Sequence, residues 1–246
     1  MTTLTNSFEG GSNTTGITTG NSGGASGNAF DVINSSGAGS SLTFSSTHAA
    51  HGTLSMDMHM ASGVSSGQDA AWTTSIGTQT EFWFRMYLFH TANPSVRTRI
   101  WQADISGSTL CGGLFLNTNG TLDMSATGGT AVITSTNSVP LSAWYRVEGF
   151  LIGNTSTGQI SFSLYTTMDD ATPLETKTSS AAQNTGGSPN SARYGCFAAT
   201  TETPAFDLWI DDIGLSSTGA LGPSFTVPDA KPLVKSIAVN RGAFYG

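Results

Sequence analysis

The sequence predicts an all-β protein built as a two-sheet antiparallel sandwich, and three observations carry that expectation. Hydroxyl residues dominate, with 36 Thr and 33 Ser among 246 residues, beside 30 Gly. Charged residues make up only 10%, against about 25% in an ordinary soluble domain. The hydrophobic pattern has period two from one end of the chain to the other. Thr and the aromatic residues suit a pleated, half-buried surface, whereas the Glu, Lys, Arg and Gln that build salt-bridged helix faces are scarce. About twelve strand-like segments, separated by Gly-, Asn- and Ser-rich turns, indicate a sandwich or jelly roll.

Taken in order, the segments justify this reading. The Gly/Ser-rich stretches 20–28 and 35–41 are loops. Residues 54–60 alternate Leu54, Met56, Met58 and Met60 with polar neighbours, as a half-buried strand does. Residues 79–90 (QTEFWFRMYLFH) read as a central strand. Phe82, Phe84, Met86 and Leu88 share the core parity; Glu81, Trp83, Arg85, Tyr87 and Phe89 share the other. Arg97, Arg99 and Trp101 alternate with Thr98 and Ile100. Asn119-Gly120, between two apolar runs, signals a hairpin whose two central residues tolerate positive φ. Residues 144–153 repeat the central-strand arrangement, with Tyr145, Val147 and Leu151 on one side and Trp144, Arg146 and Glu148 on the other. Ile160, Phe162 and Leu164 form a further alternating run, and Leu208 and Ile210 alternate with Asp207, Trp209 and Asp211.

A boundary follows. Residues 1–221 form the sandwich and residues 222–246 an extended C-terminal arm, which holds three of the eight Pro and two of the three Lys. Phe225, Val227, Leu233, Ile237, Phe244 and Tyr245 are its apolar anchors, for docking onto a partner chain or for an edge strand on its own domain. Cys111 and Cys196 are read as small core residues; a disulfide stays open. A net charge of −7 and a pI near 4.8 exclude a nucleic-acid footprint. No apolar run reaches the ~18–20 residues of a membrane span. The opening MTTLTNSFEGG has neither the basic nor the apolar region of a signal peptide.

Residues 110–165 carry a layout of strand, Asn-Gly hairpin, strand, Gly/Thr loop, Pro140-Leu-Ser-Ala-Trp144-Tyr-Arg-Val-Glu148, turn and Thr157-Gly-Gln-Ile160-Ser-Phe162-Ser-Leu164-Tyr165. This resembles laminin-G-like and concanavalin A-like lectin/glucanase sandwiches. Asn6-Ser-Phe8-Glu9-Gly10 and Phe206-Asp-Leu-Trp-Ile-Asp211-Asp212-Ile213 are similar to the paired terminal strands of carbohydrate-binding jelly rolls. In overall texture the chain also resembles concanavalin-like proteins of tailed-bacteriophage virions. That resemblance implies a virion structural protein, a capsid decoration or minor tail protein. It would be made in the host cytoplasm and act by assembly with itself as a homo-oligomer and with other virion proteins. A host surface glycan is a further partner, and no catalysis is expected. The alternatives are a carbohydrate-binding module for host attachment and a glycoside hydrolase of the same fold.

Four constellations could carry chemistry. If the strand parities hold, Glu81, Trp83, Arg85, Tyr87, Arg99, Trp101, Arg146 and Glu148 project from one sheet face, as a glycan site or a covered interface. As an enzyme, that face offers Glu81 and Glu148 as the carboxylate pair of a glycosidase. Neighbouring Arg85 and Arg146 are expected to lower their pKa, and the Glu-x-Asp-x-x-Glu arrangement of glucanases is absent. The resemblance further implies a structural Ca²⁺ on Glu9 with Asp211 or Asp212; the alternative is a solvated strand end. His48, His51 and His59 lack a zinc-site frame and read as exposed loop side chains. No nucleophile elbow, phosphate-binding loop or dinucleotide fingerprint occurs.

Overall fold

The computed structural model describes residues 2–65, 67–105, 109–198 and 201–224. The arm anchors Phe225, Val227, Leu233, Ile237, Phe244 and Tyr245 lie outside the described residues. The described residues form fifteen strands and no helix, three strands more than the sequence pattern marks. Sheet one runs β13 (Glu175–Thr178), β12 (Gln159–Tyr165), β11 (Tyr145–Ile152), β6 (Glu81–Phe89), β15 (Phe206–Ser216), β4 (Ser55–Met60) and β3 (Ser41–Ser45), with β1 (Thr3–Asn6) paired to β15. Sheet two runs β10 (Ala131–Ser138), β9 (Thr121–Ser125), β8 (Thr109–Leu116), β7 (Thr98–Ile105), β14 (Ser191–Ala198), β5 (Gly67–Trp72) and β2 (Val32–Ser35). All ladders are antiparallel.

The core lies between the two sheets. Phe82, Phe84, Met86 and Leu88 of β6 and Tyr145, Val147 and Leu151 of β11 face Trp101, Leu114, Met124 and Tyr194 of the opposite sheet. Phe84 stacks on Trp101 with centroids 4.0 Å apart. The Tyr194 hydroxyl crosses the core to donate to the Gly214 carbonyl at 2.8 Å, which satisfies a polar group that burial would otherwise penalise. Cys111 and Cys196 are free thiols buried in this core. Gly112 lets the sheets approach, because a Cβ there would stand 2.5 Å from a Leu151 methyl.

The β8–β9 hairpin turns through residues 117–120, with Gly120 donating to the Asn117 carbonyl at 2.9 Å. Gly120 alone of the predicted pair takes positive φ, at 80°. The Asn119 side chain instead accepts hydrogen bonds from the Thr121 amide and hydroxyl. The turn is therefore a four-residue loop closed by one left-handed glycine.

Two β-bulges redirect side chains. In β7 the register slips between Arg99 and Trp101. Ile100 and Trp101 both turn into the core, while Arg99 stays on the outer surface of sheet two. In β15 it slips between Asp211 and Gly214, and Asp212 adopts φ 42°, a conformation that Asp tolerates better than most residues. An extra residue in one strand changes which face the following side chains take.

Candidate functional site

The outer face of sheet one gathers the reactive side chains. The registers set Arg146 opposite Tyr87, Glu148 opposite Arg85, Phe150 opposite Trp83 and Ile152 opposite Glu81. Six of the eight predicted face residues thus share one surface: Glu81, Trp83, Arg85, Tyr87, Arg146 and Glu148. Arg99 and Trp101 do not. Both belong to sheet two, and the β7 bulge sends Trp101 into the core, where it is fully buried.

Arg146 is buried, lies 3.8 Å from the Tyr165 ring centroid and sits 2.8 Å from Glu148. Its remaining donors grip the carbonyls of Met168 and Asp170, the latter at 2.7 Å. Arg146 therefore holds the 166–174 loop against the sheet, and Asp169 stands over Tyr87. The Tyr87 hydroxyl donates to Asp169 at 3.1 Å.

A second loop, 46–54, brings His51 to the same point. Asp211 accepts the amides of Ala50 and His51 at 2.9 and 3.3 Å. Glu9 accepts the amides of Thr53 and Leu54, both at 2.8 Å, and the Thr53 hydroxyl. The His51 ring meets Tyr87 edge-on at 5.1 Å. Its Nε2 lies 3.1 Å from Asp169, and its Nδ1 contacts Asp212, the bulge residue.

Burial dominates the electrostatics. It raises Tyr87 above the ordinary phenol value, so Tyr87 is held protonated. It also raises Glu148, although Arg146 and Arg85 pull the other way. The expected lowering of this carboxylate does not occur, because desolvation outweighs the cations. Asp211 is pushed up to about 8 by burial and by the neighbouring Asp212. Arg85 is lowered, again by burial first.

The segment after β15 crosses this face. Arg85 Nη1 donates to the Gly222 carbonyl at 2.9 Å. The Ser224 amide donates to the Tyr87 hydroxyl oxygen at 2.9 Å. The Ser224 hydroxyl donates to Asp212 at 2.9 Å and lies 3.3 Å from His51 Nδ1. On one side lies a hollow of about 240 Å³, walled by Trp83, Phe150, Tyr165, Glu148 and Ala220. On the other, a hollow of about 330 Å³ is lined by Arg85, Asp212, Asn6, Pro223 and Ser224. Ser224 thus touches both groups, Tyr87 through its amide nitrogen and His51 through its hydroxyl.

The histidine expectation is corrected by these contacts. His51 is half-buried at the centre of the cluster. His48 stacks on Phe89 at 4.0 Å, which covers an apolar ring. His59 is no loop residue but lies on β4, with Nδ1 2.6 Å from Asp207. The carboxylates suggested for calcium, Glu9 and Asp211, hold backbone amides, and Asp212 holds His51 and Ser224. Among the described residues no three His, Cys, Asp or Glu side chains converge as a metal-binding group. Sequence reasoning missed Asp169 and the role of His51. The only local signal was acidic Asp169-Asp170 in one loop and His48-Ala-Ala-His51 in another.

No family model matches the chain, and no curated protein matches it in sequence. Solved structures do match in fold. An endo-β-1,4-glucuronan lyase from the fungus Trichoderma reesei superposes with TM-score 0.59 at 14% identity, covering 78% of this chain and 92% of that one. The cellulose-induced protein Cip1 gives TM-score 0.54 at 15% identity, covering 75% and 88%. The chain is a two-sheet jelly-roll sandwich of the kind these proteins share. The expectation of a non-catalytic virion structural protein is corrected by this finding. The neighbours in fold are a glucuronan lyase and a cellulose-induced protein, not capsid or tail components, which overturns the expectations of a virion part and of a protein without catalysis.

Proposed function

We propose that this protein cleaves a uronate-containing polysaccharide by β-elimination on the outer face of sheet one. One observation carries the reading: a single residue, Ser224, contacts Tyr87 through its amide and His51 through its hydroxyl, in a hollow shared with the buried cation Arg85. Elimination needs these three functions. A base removes the proton α to the carboxylate, at C5 of the sugar. The electron pair forms the C4–C5 double bond, the C4–oxygen bond breaks, and an acid protonates the departing oxygen. A cation on the carboxylate stabilises the charge that develops as the proton leaves.

His51 is the base once substrate displaces a carboxylate from one of its ring nitrogens. Tyr87, kept neutral by burial, is the acid. Arg85 takes the carboxylate in the position now held by the Gly222 carbonyl. Arg146 is a positioning residue, because its donors are committed to the loop that carries Asp169. The fold likeness to a glucuronan lyase supports the reaction class.

Hydrolysis by the Glu81–Glu148 pair is disfavoured. The two residues stand four register steps apart along β6 and β11, about 13 Å at ~3.3 Å per residue. Glycosidases of either stereochemistry place their carboxylates about 5–9.5 Å apart.

The test is incubation with glucuronan, alginate and uncharged β-glucan. Elimination creates a conjugated double bond that absorbs in the ultraviolet; hydrolysis does not. An absorbance rise with a uronate polymer and none with the neutral glucan is expected. New reducing ends without the absorbance would overturn the reading.

A further inference from the structure

We propose that residues Ala220–Ser224 are an internal competitor that occupies the sugar site; the identity of the displaced ligand rests on the function proposed above. The segment does not lie on the sheet at random. Three of its polar contacts fall on groups the reaction requires, Arg85, Tyr87 and His51; its Gly222 amide also meets Glu148 and its Ser224 hydroxyl Asp212. Its Gly222 carbonyl sits on Arg85, its Ser224 amide on the Tyr87 oxygen, and its Ser224 hydroxyl between His51 and Asp212. Ala220 walls the aromatic hollow beside Trp83, while Pro223 and Ser224 wall the hollow on the far side. The strap thus passes through the narrow ground between the two hollows, where an extended sugar chain would run.

Besides these hydrogen bonds, the strap packs Leu221 over Gly214 of β15, where a Cβ would stand 2.9 Å from a Leu221 methyl. Outside these contacts, nothing comes within 4 Å of a Cβ built on Gly222. Gly222 itself adopts φ 68°, which a β-branched residue holds only at a cost. A ligand and the strap exclude one another, so apparent affinity is the intrinsic affinity multiplied by the fraction of molecules in which the strap is open.

The test keeps the full chain. In Gly222→Val/Ser224→Glu, the valine opposes the left-handed turn and the glutamate adds a third carboxylate beside Asp169 and Asp212. Two quantities are measured: the rate at which N-acetylimidazole modifies Tyr87, followed by mass spectrometry, and the affinity for a glucuronate tetrasaccharide. Both scale with the open population, so both should rise by the same factor, about tenfold if the strap is closed ~90% of the time. Ser224→Ala, which removes only the hydroxyl contacts, should fall between wild type and the double variant. Equal Tyr87 reactivity in all three proteins, with the fold retained by near-ultraviolet circular dichroism, overturns the proposal. Exposure of Tyr87 without any tetrasaccharide binding upholds the covering strap and overturns the sugar reading of the site.

Discussion

The two outer faces of the sandwich use the same charged residue types to opposite ends. On sheet two, Arg193 bridges Asp69 and Asp104, each at 3.0 Å. The Gln102 amide holds both oxygens of Asp104 at 2.8 Å, and Asn34 holds those of Asp69 at 3.0 and 3.1 Å. This face has a hollow of about 630 Å³, larger than either hollow on sheet one. Yet its lining includes no Tyr or His, and its buried acids already face a cation and an amide. On sheet one, loops deliver His51 and Asp169 onto Tyr87, and the β15 bulge adds Asp212. Charge within strands makes a ladder. A proton-transfer site needs side chains that loops and bulges bring in from outside the ladder.

Tyr87→Phe would test the contrast most strongly. It deletes the acid and leaves the ring, and should lower kcat on a uronate polymer about 10³-fold, or ~4 kcal/mol of barrier, while the two lost hydrogen bonds cost only about 1–3 kcal/mol of stability. Retained turnover would remove Tyr87 from the mechanism. Arg193→Met should do the reverse. It strands two buried carboxylates and should cost about 3–5 kcal/mol in chemical denaturation, while kcat of the surviving folded protein stays at the wild-type value. A loss of kcat at full stability would mean that sheet two serves the reaction.

Trp101→Ala separates the sequence expectation from the structure. As a core residue stacked on Phe84, it should cost about 3–5 kcal/mol of stability through a cavity. Loss of sugar binding with stability intact would return it to the glycan face.

The smallest effect sits at the far end of sheet one. Burial, reinforced by Asp207, pushes Asp57 up to about 6, and its Oδ1 has no hydrogen-bond partner among the described residues. The folded state binds the proton more tightly than the unfolded chain. The contribution is therefore complete below about pH 4 and is lost as pH rises through about 6. Asp57→Asn should flatten that part of the stability–pH curve and gain about 1 kcal/mol at neutral pH, after allowance for solvent screening. Superimposable curves for the two proteins would refute it.

Much of the site's floor was legible because strand parity is local. Residues two apart on a pleated strand share a face, so Glu81, Trp83, Arg85 and Tyr87 were grouped correctly from β6 alone, and Arg146 and Glu148 from β11. The same rule failed at Arg99 and Trp101. A single inserted residue at Ile100 reverses the alternation, and no residue type there announces it. His48-Ala-Ala-His51 was visible but uninterpretable, because what matters about His51 is its nearness to Asp169, 118 positions away, and to Asp212, 161 positions away.

By itself, the sequence determined the all-β class, the antiparallel sandwich and which side of β6 and β11 meets the core. These follow from alternation and turn chemistry, which act over a few residues. The fold alone sets which strands share a sheet, places Trp101 in the core, and surrounds Tyr87 with two loops and a bulge. It also decided that Gly222 and Ser224 lie on Arg85, Tyr87 and His51. Those outcomes depend on contacts between separate strands and loops, some closed across more than a hundred residues, where packing and burial, not local propensity, set the geometry.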